Sequence, residues 1–388
     1  MTHTPYIIYT RVKLTAKHHL QTVPLHHLQL TILVVLLLMA DGMQAQRRSR
    51  PQPVRKGQPI NYVHKSLDRQ TVANDTTGAH RTSSGIIVIG RGSDVRAMSA
   101  FGGSSWSLVE YANVANQYAK MFEGKAQVYV MPIPYSSEYY GTDVTRQWTH
   151  SQRDAIQNCF SRLNSGVHAV DIDAVLRHHT DEPIYSRTDH HWAPLGAYYA
   201  AQKFAEVAGV TFRDLRSYDS RTIHGFLGTM YKFSKDTLVK NAPEDFTYYM
   251  PRDVRYNTTF VDYTLDKARR RITSESAPHE APFFREYQDG SPNAYLTFMA
   301  GDTHLVKVVT DTPTTRRLLV LKDSYGNAIP GYLFYGFGEI HVIDCRYFNQ
   351  NIVRYIESNG ITDILFANNI GHATSSKTTE MYKRYLTQ

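Results

Sequence analysis

The sequence predicts an α/β fold, a mainly parallel central sheet layered between helices on both faces, with one irregular segment inserted into it. Three observations carry this. Short β-branched apolar runs alternate with helix-period stretches through the first half of the chain. The same alternation returns near the C-terminus, and between them residues 211–293 lose it. Strand and helix in strict alternation demand crossover connections, which place parallel strands side by side and helices over them.

In order, residues 85–90 (Gly-Ile-Ile-Val-Ile-Gly) form an apolar strand that ends in Gly-Arg-Gly-Ser. Gly90 and Gly92 lack the third glycine of a dinucleotide fingerprint, so a plain strand-to-loop turn is the better account. Residues 107–122 space Leu108, Tyr111, Ala112, Ala115, Tyr118, Ala119 and Phe122 along one helical face. Strands are expected over 126–132 and 167–171, with a helix over 148–163 between them. After Tyr185 comes Thr188-Asp189-His190-His191-Trp192, then Ala193-Pro194 and a helix with Ala197, Ala201, Phe204, Ala205 and Ala208 on one side. Pro194 suits the first helical position, where its missing N–H would have no partner. Residues 317–322, 339–344 and 362–367 read as buried strands, and 353–360 as a helix stopped by Asn359-Gly360. A helix is also expected to start at Ala328.

Charge excludes one class of partner. Of the net +8, residues 1–56 hold +7, from eight basic residues against Asp41 alone. The remainder is nearly neutral, so no basic groove for nucleic acid is indicated. Two cysteines, Cys159 and Cys345, rule out a disulfide framework and a cysteine zinc site, and their pairing is left open. The 11-residue apolar run at 30–40 is short for a membrane span and suits a signal peptide. Arg47, Arg48 and Arg50 after it run against export. The expected organisation is a signal peptide or signal anchor over 1–45, a linker over 46–83 and a folded domain over 84–388, with the insertion at about 211–293. The product would be exported, periplasmic or associated with the cell envelope.

The chemistry-bearing stretch is the acid–imidazole turn. Asp189 and His191, two residues apart in an extended turn, can face the same side, where the carboxylate fixes the imidazole tautomer. With His178, His179, Asp181, Glu182 and His190 the same residues could hold a metal. No His-x-x-x-His spacing supports that, and Trp192 would crowd an open coordination sphere. Downstream, Asp323-Ser324-Tyr325 falls where the 317–322 strand ends. There a serine hydroxyl stands at the sheet's carboxyl edge, and N–H groups of the following turn can stabilise an oxyanion. The plain alternative for Ser324 is a helix N-cap. Asn368 and Asn369 lie at the end of the 362–367 strand, so three strand or helix ends converge. The loop 225–231 either lines a cleft or is merely compact, and Arg269-Arg270-Arg271 reads as a solvated face.

The block Tyr185-x-Arg-Thr-Asp-His-His-Trp-x-Pro-x-Gly-Ala, with Leu-Lys-Asp-Ser-Tyr and Ile-Asp-x-Arg-Tyr-Phe downstream, resembles the DHHW family. These are SGNH-hydrolase-like proteins related to the alginate O-acetylation proteins, and the likeness runs from about residue 86 to 370. It implies a three-layer α/β/α SGNH-hydrolase-like catalytic domain. In it Ser324 is the nucleophile, His191 the general base and Asp189 its orienting acid, with Asn369 or Asn368 in the oxyanion hole. Gly301 matches a second family block weakly. Tyr325, Trp192, Arg346 and Tyr347 would line or bind substrate. The implied activity is serine-dependent O-acetyl transfer or ester hydrolysis on a cell-envelope or exopolysaccharide glycan. It needs no cofactor and no metal, and a membrane-bound acyl-transfer protein is a further partner. Transfer and hydrolysis share one acyl-serine, so the residues do not choose between them. The rival readings are a non-catalytic glycan-binding scaffold of a polysaccharide assembly system and a metal-dependent hydrolase.

Overall fold

A computed structural model of the chain describes residues 78–388 apart from 269 and 270. The leader, the linker as far as residue 77 and two arginines of the 269–271 run lie outside the described residues. In chain order the first strands are β1 (His80–Arg81), β2 (Ile87–Ile89), β3 (Arg96–Met98), β4 (Gln127–Val130) and β5 (Val167–Ala169). Then come β6 (Tyr218–Phe226), β7 (Glu244–Pro251), β8 (Tyr256–Leu265), β9 (Ile272–Glu275) and β10 (His279–Glu280). The last are β11 (His304–Thr310), β12 (Arg317–Lys322), β13 (Glu339–Asp344) and β14 (Asp363–Ala367).

Among the described residues nine strands make the central sheet, in the order β10-β8-β11-β13-β12-β14-β4-β5 with β9 paired to β8. The half from β13 to β5 is parallel and the other half antiparallel. Strand β12 sits in the middle, flanked by β13 on one side and β14 on the other. The chain therefore leaves β12 towards one neighbour and returns beyond it to the other, which opens a crevice at the carboxyl ends. Ser324 lies there.

Alternate residues of these strands feed two cores. Leu318, Val320, Tyr129 and Leu365 join the core under the helix Pro194–Ala208. Leu319, Leu321, Val128, Val130, Ile364 and Phe366 join the core under the helix Val109–Met121. A strand covered on both faces has no polar side, which is why β12 reads as a continuous apolar run. Each fully buried aliphatic side chain of this set contributes about 1.5–3 kcal/mol. The helix Pro194–Ala208 starts on Pro194 as expected and stops at Gly209, whose φ of 64° is left-handed and favours a residue without Cβ. Among the described residues no helix is long and apolar enough to cross a membrane.

Four expectations are corrected. The apolar strand at 85–90 is not the first strand of the parallel sheet. As β2 it forms a separate three-stranded antiparallel sheet with β1 and β3. Its Ile86 and Val88 pack on Met230 and Val239 of the short helices Thr229–Ser234 and Thr237–Lys240. A buried β-branched run carries no record of which sheet buries it. The pairing of β1 also places ordered structure before the domain start expected at 84. The segment 211–293 is not irregular throughout. It holds the β6–β7 hairpin and β8, which extends the central sheet by pairing with β11. Strand β6 buries only Tyr218, Ile223 and Phe226, too sparse for alternation to show. Finally, residues 324–332 form two 3-10 turns, Ser324–Ala328 and Pro330–Tyr332, rather than one α-helix. Pro330 cannot donate to a preceding turn, so the helix cannot run through it.

Candidate active site

The acid–imidazole turn is closed by an antiparallel bridge between Tyr185 and Trp192. It is clamped from outside by Glu244, whose carboxylate accepts from the N–H groups of Arg187 (2.8 Å) and Thr188 (2.6 Å) and from the Thr188 hydroxyl (2.7 Å). Within the turn, Asp189 Oδ1 accepts from His191 N (3.0 Å) and His191 Nδ1 (2.6 Å). Its Oδ2 accepts from the backbone N–H and the hydroxyl of Thr229, each at 2.8 Å. An ionised carboxylate can only accept, so His191 Nδ1 carries the proton and Nε2 is left as the acceptor. The Ser324 hydroxyl donates to that Nε2 at 2.8 Å. Serine, imidazole and carboxylate thus form one hydrogen-bonded chain, its His191–Ser324 link joining residues 133 positions apart in sequence.

Burial alone would push the Asp189 carboxyl up. The adjacent His191 and its hydrogen bond, with His190 and the Thr229 N–H, outweigh that and hold it well below the usual carboxylate range. His190 is pushed down to about 3 by burial first and by neighbouring His191 second. Its Nδ1 lies 2.6 Å from the Thr229 oxygen.

Asp323, not Ser324, caps the serine turn. Its Oδ1 accepts from Tyr325 N (2.9 Å) and its Oδ2 from Asn369 N (2.7 Å), which ties the end of β14 to the start of the turn. The N-cap alternative for Ser324 therefore falls, and its hydroxyl is free for His191. At the first position of that turn the Ser324 N–H has no intrahelical acceptor, as at any helix start.

Sequence reasoning missed Tyr295. Its ring stacks on His191 at 3.7 Å between centroids with 4° between planes, and its hydroxyl donates to the Ser324 and Tyr325 carbonyls, each at 3.0 Å. Thr229 and Glu244 were missed as well. Thr229 lies within the 225–231 loop suspected of lining a cleft, whereas nothing local marks Tyr295 or Glu244.

The other expected residues divide. Trp192 and Tyr325 are wholly buried, so neither lines a substrate surface as expected. The Trp192 indole N–H donates to the Tyr325 carbonyl (2.9 Å) and the Tyr325 phenol to the His190 carbonyl, so they lock the two motifs together. Asn368 is also fully buried. Its carbonyl accepts from Tyr111 (2.7 Å) and Tyr382 (2.8 Å) and its Nδ2 donates to Asp323 Oδ2 (3.4 Å), so neither end is left to serve an oxyanion. Asn369 uses its carbonyl to accept from His372 N (3.0 Å), while its Nδ2 has no partner among the described residues. Gly301, at φ 113°, follows Met299 and Ala300, both at φ 59°, and this tight turn delivers Asp302.

Asp302 belongs to an ion network below the serine. Lys322 Nζ meets Asp344 at 2.9 Å and Asp302 at 3.4 Å, and Arg346 bridges Asp344 (2.7 Å) and Asp302 (2.9 Å). Asn327 donates to Asp302 at 2.9 Å. Burial pushes Asp302 up, but Lys322 and Arg346 outweigh it and hold the carboxyl low. Arg346 is thus committed to carboxylates while remaining partly exposed, with Tyr347 5.1 Å from its guanidinium carbon.

Asp189, His190 and His191 place their ligand atoms within 4.8 Å of one another, close enough for a metal. Both nitrogens of His191 are hydrogen-bonded, to Asp189 and to Ser324, and His190 Nδ1 is bonded to Thr229. The donor set fits a proton path better than a coordination sphere. The two cysteines are buried free thiols.

A mainly parallel α/β/α sheet with a serine–imidazole–carboxylate chain at its carboxyl edge defines an SGNH-hydrolase-like protein. The DHHW family profile, described as "DHHW protein", matches residues 63–343, so the chain belongs to the DHHW family. A crystal structure of a DHHW family protein from Eubacterium siraeum is 36% identical, covers 79% of this chain and 97% of its own, and overlays with a TM-score of 0.69. PatB1 of Bacillus cereus, solved with a sulfonyl adduct, shares the fold at 16% identity and a TM-score of 0.57, over 77% of this chain and 96% of its own. The O-acetyltransferase domain of Pseudomonas putida AlgJ overlays more loosely, with a TM-score of 0.42 at 11% identity over 79% of this chain and 99% of its own. A comparison with curated proteins finds no match.

Proposed function

We propose that the protein is an exported, serine-dependent enzyme that transfers or hydrolyses O-acetyl esters on a cell-envelope or exopolysaccharide glycan. The observation that carries it is the Ser324 hydroxyl at 2.8 Å from His191 Nε2, with Nδ1 at 2.6 Å from Asp189. In this reading Ser324 Oγ attacks the acyl carbonyl carbon while Nε2 takes its proton. The tetrahedral intermediate collapses, its C–O bond to the leaving alcohol breaks, and the imidazolium returns the proton to that oxygen. Water or a sugar hydroxyl then attacks the acyl-serine, with His191 again taking and returning one proton. Asp189 keeps Nδ1 protonated and stabilises the imidazolium. The Ser324 N–H and the free Nδ2 of Asn369 are the proposed oxyanion donors. Tyr295, stacked on the imidazole, holds the ring in plane.

Export is proposed from the apolar run at 30–40 and its basic lead. A membrane-bound acyl-transfer protein would supply acetyl groups if the reaction is transfer. The test is turnover of a chromogenic acetate ester, and of an acetylated oligosaccharide by mass spectrometry. Activity abolished in Ser324→Ala and indifferent to chelator supports the reading. An inert parent protein that still binds glycan points to the scaffold role, and chelator sensitivity to a metal hydrolase.

A further inference from the structure

We propose that Phe233 and His190 form an acceptor subsite, in which a pyranose ring lies on the Phe233 ring and gives a hydroxyl hydrogen to His190 Nε2. It rests on the acyl-transfer reading above and names the side chains that would hold the sugar. Phe233 is 43% exposed, one of few large apolar side chains so open among the described residues. Trp106, more exposed still, is covered by the Arg162 guanidinium at 4.7 Å. The Phe233 ring instead lies 5.6 Å from that of His190, which lies 3.7 Å from His191. It stands four residues after Thr229, one helical turn along the same face, and Thr229 grips Asp189. Ser84 donates to the Phe233 carbonyl at 2.8 Å, so the residue is anchored although its ring is open.

The tautomer of His190 follows from its neighbours. The Thr229 hydroxyl spends its only hydrogen on Asp189 Oδ2 and can only accept from His190. His190 Nδ1 therefore carries the hydrogen, and Nε2 presents a lone pair. That atom has no partner among the described residues and is not among the buried orphan atoms, so solvent reaches it. With its pKa pushed down to about 3 the ring stays neutral, an acceptor at working pH. An apolar ring face beside a fixed acceptor fits a pyranose, whose C–H face is apolar and whose rim is hydroxylated. Phosphate or carboxylate ligands would find no donor on either side chain.

The test uses the full chain carrying Ser324→Ala, which cannot turn over, with cellopentaose and chitopentaose as probes. Calorimetric Kd should rise about tenfold in Phe233→Ala, a loss of about 1.4 kcal/mol. It should be restored in Phe233→Trp and should also rise in His190→Ala. In the Ser324 parent, the ratio of acetyl transfer to hydrolysis should fall in Phe233→Ala. An equal Kd in Phe233→Ala, or no binding of either probe at millimolar concentration, overturns the subsite. An inert Ser324 parent would overturn the acyl-transfer reading while the Kd comparison stands.

Discussion

Gly228 is where the structure makes the sharpest demand on catalysis. A Cβ at this position would lie 2.4 Å from Asp189 Cβ and 2.7 Å from Asp189 Oδ2. Ordinary carbon contacts need about 3.4–4 Å, so Gly228→Ala must open about 1 Å between the Thr229 helix and the acid turn. The backbone at Gly228, φ −79° and ψ −171°, suits alanine, so the conflict is purely one of space. Asp189 accepts four hydrogen bonds and its turn is clamped by Glu244, so the displacement falls on the Thr229 contacts or on the Asp189–His191 pair. A misplacement of about 1 Å in a catalytic group costs on the order of 100-fold in rate. We expect kcat/KM for a chromogenic acetate ester to fall by about that factor in Gly228→Ala. Gly102→Ala, where an added Cβ meets nothing within 4 Å, should leave it unchanged. Thermal unfolding by circular dichroism separates misplacement from loss of fold. A well-folded Gly228→Ala variant within about threefold of the parent would refute the reasoning.

Ser324→Ala and His191→Ala should each reduce turnover by at least about 10⁴-fold, since triad members act as a unit; comparable residual rates in both, well above background, would contradict the assignment. His190→Ala should be milder on a small ester, and equal losses at the two histidines would reverse their roles. Because the Asp189 carboxyl is held low, the stability it contributes is present above its unfolded pKa of about 3.9 and is lost as pH falls through the folded value. Denaturant midpoints should therefore drop below about pH 4, less steeply in Asp189→Asn; identical slopes would show that the group does not contribute. Cys159, whose thiol burial pushes up to about 12, and the buried Cys345 should resist a thiol reagent in native protein and react on unfolding. Fast native labelling would show the packing around them to be open.

By itself the sequence determined the elements whose burial is periodic and local. Strands β4, β12, β13 and β14 and the helix Pro194–Ala208 stand where apolar spacing put them, because each shows its neighbours a regular face. The order of those elements was enough to bring Asp189, His191 and Ser324 to strand and helix ends. Only tertiary structure decided what each face meets. Whether Ile87–Ile89 joins the parallel sheet or a separate one depends on partners at Arg96–Met98 and at Met230. Asn368 and Asn369 are adjacent in sequence, yet Tyr111, Tyr382 and Asp323 occupy both ends of the one amide, while the other uses only its carbonyl and leaves its nitrogen open. Tyr295 reaches His191 across about a hundred residues with no motif to announce it. Periodicity records that a side chain is buried, whereas hydrogen bonds and ring contacts depend on which distant surface does the burying, and that is fixed only when the layers pack.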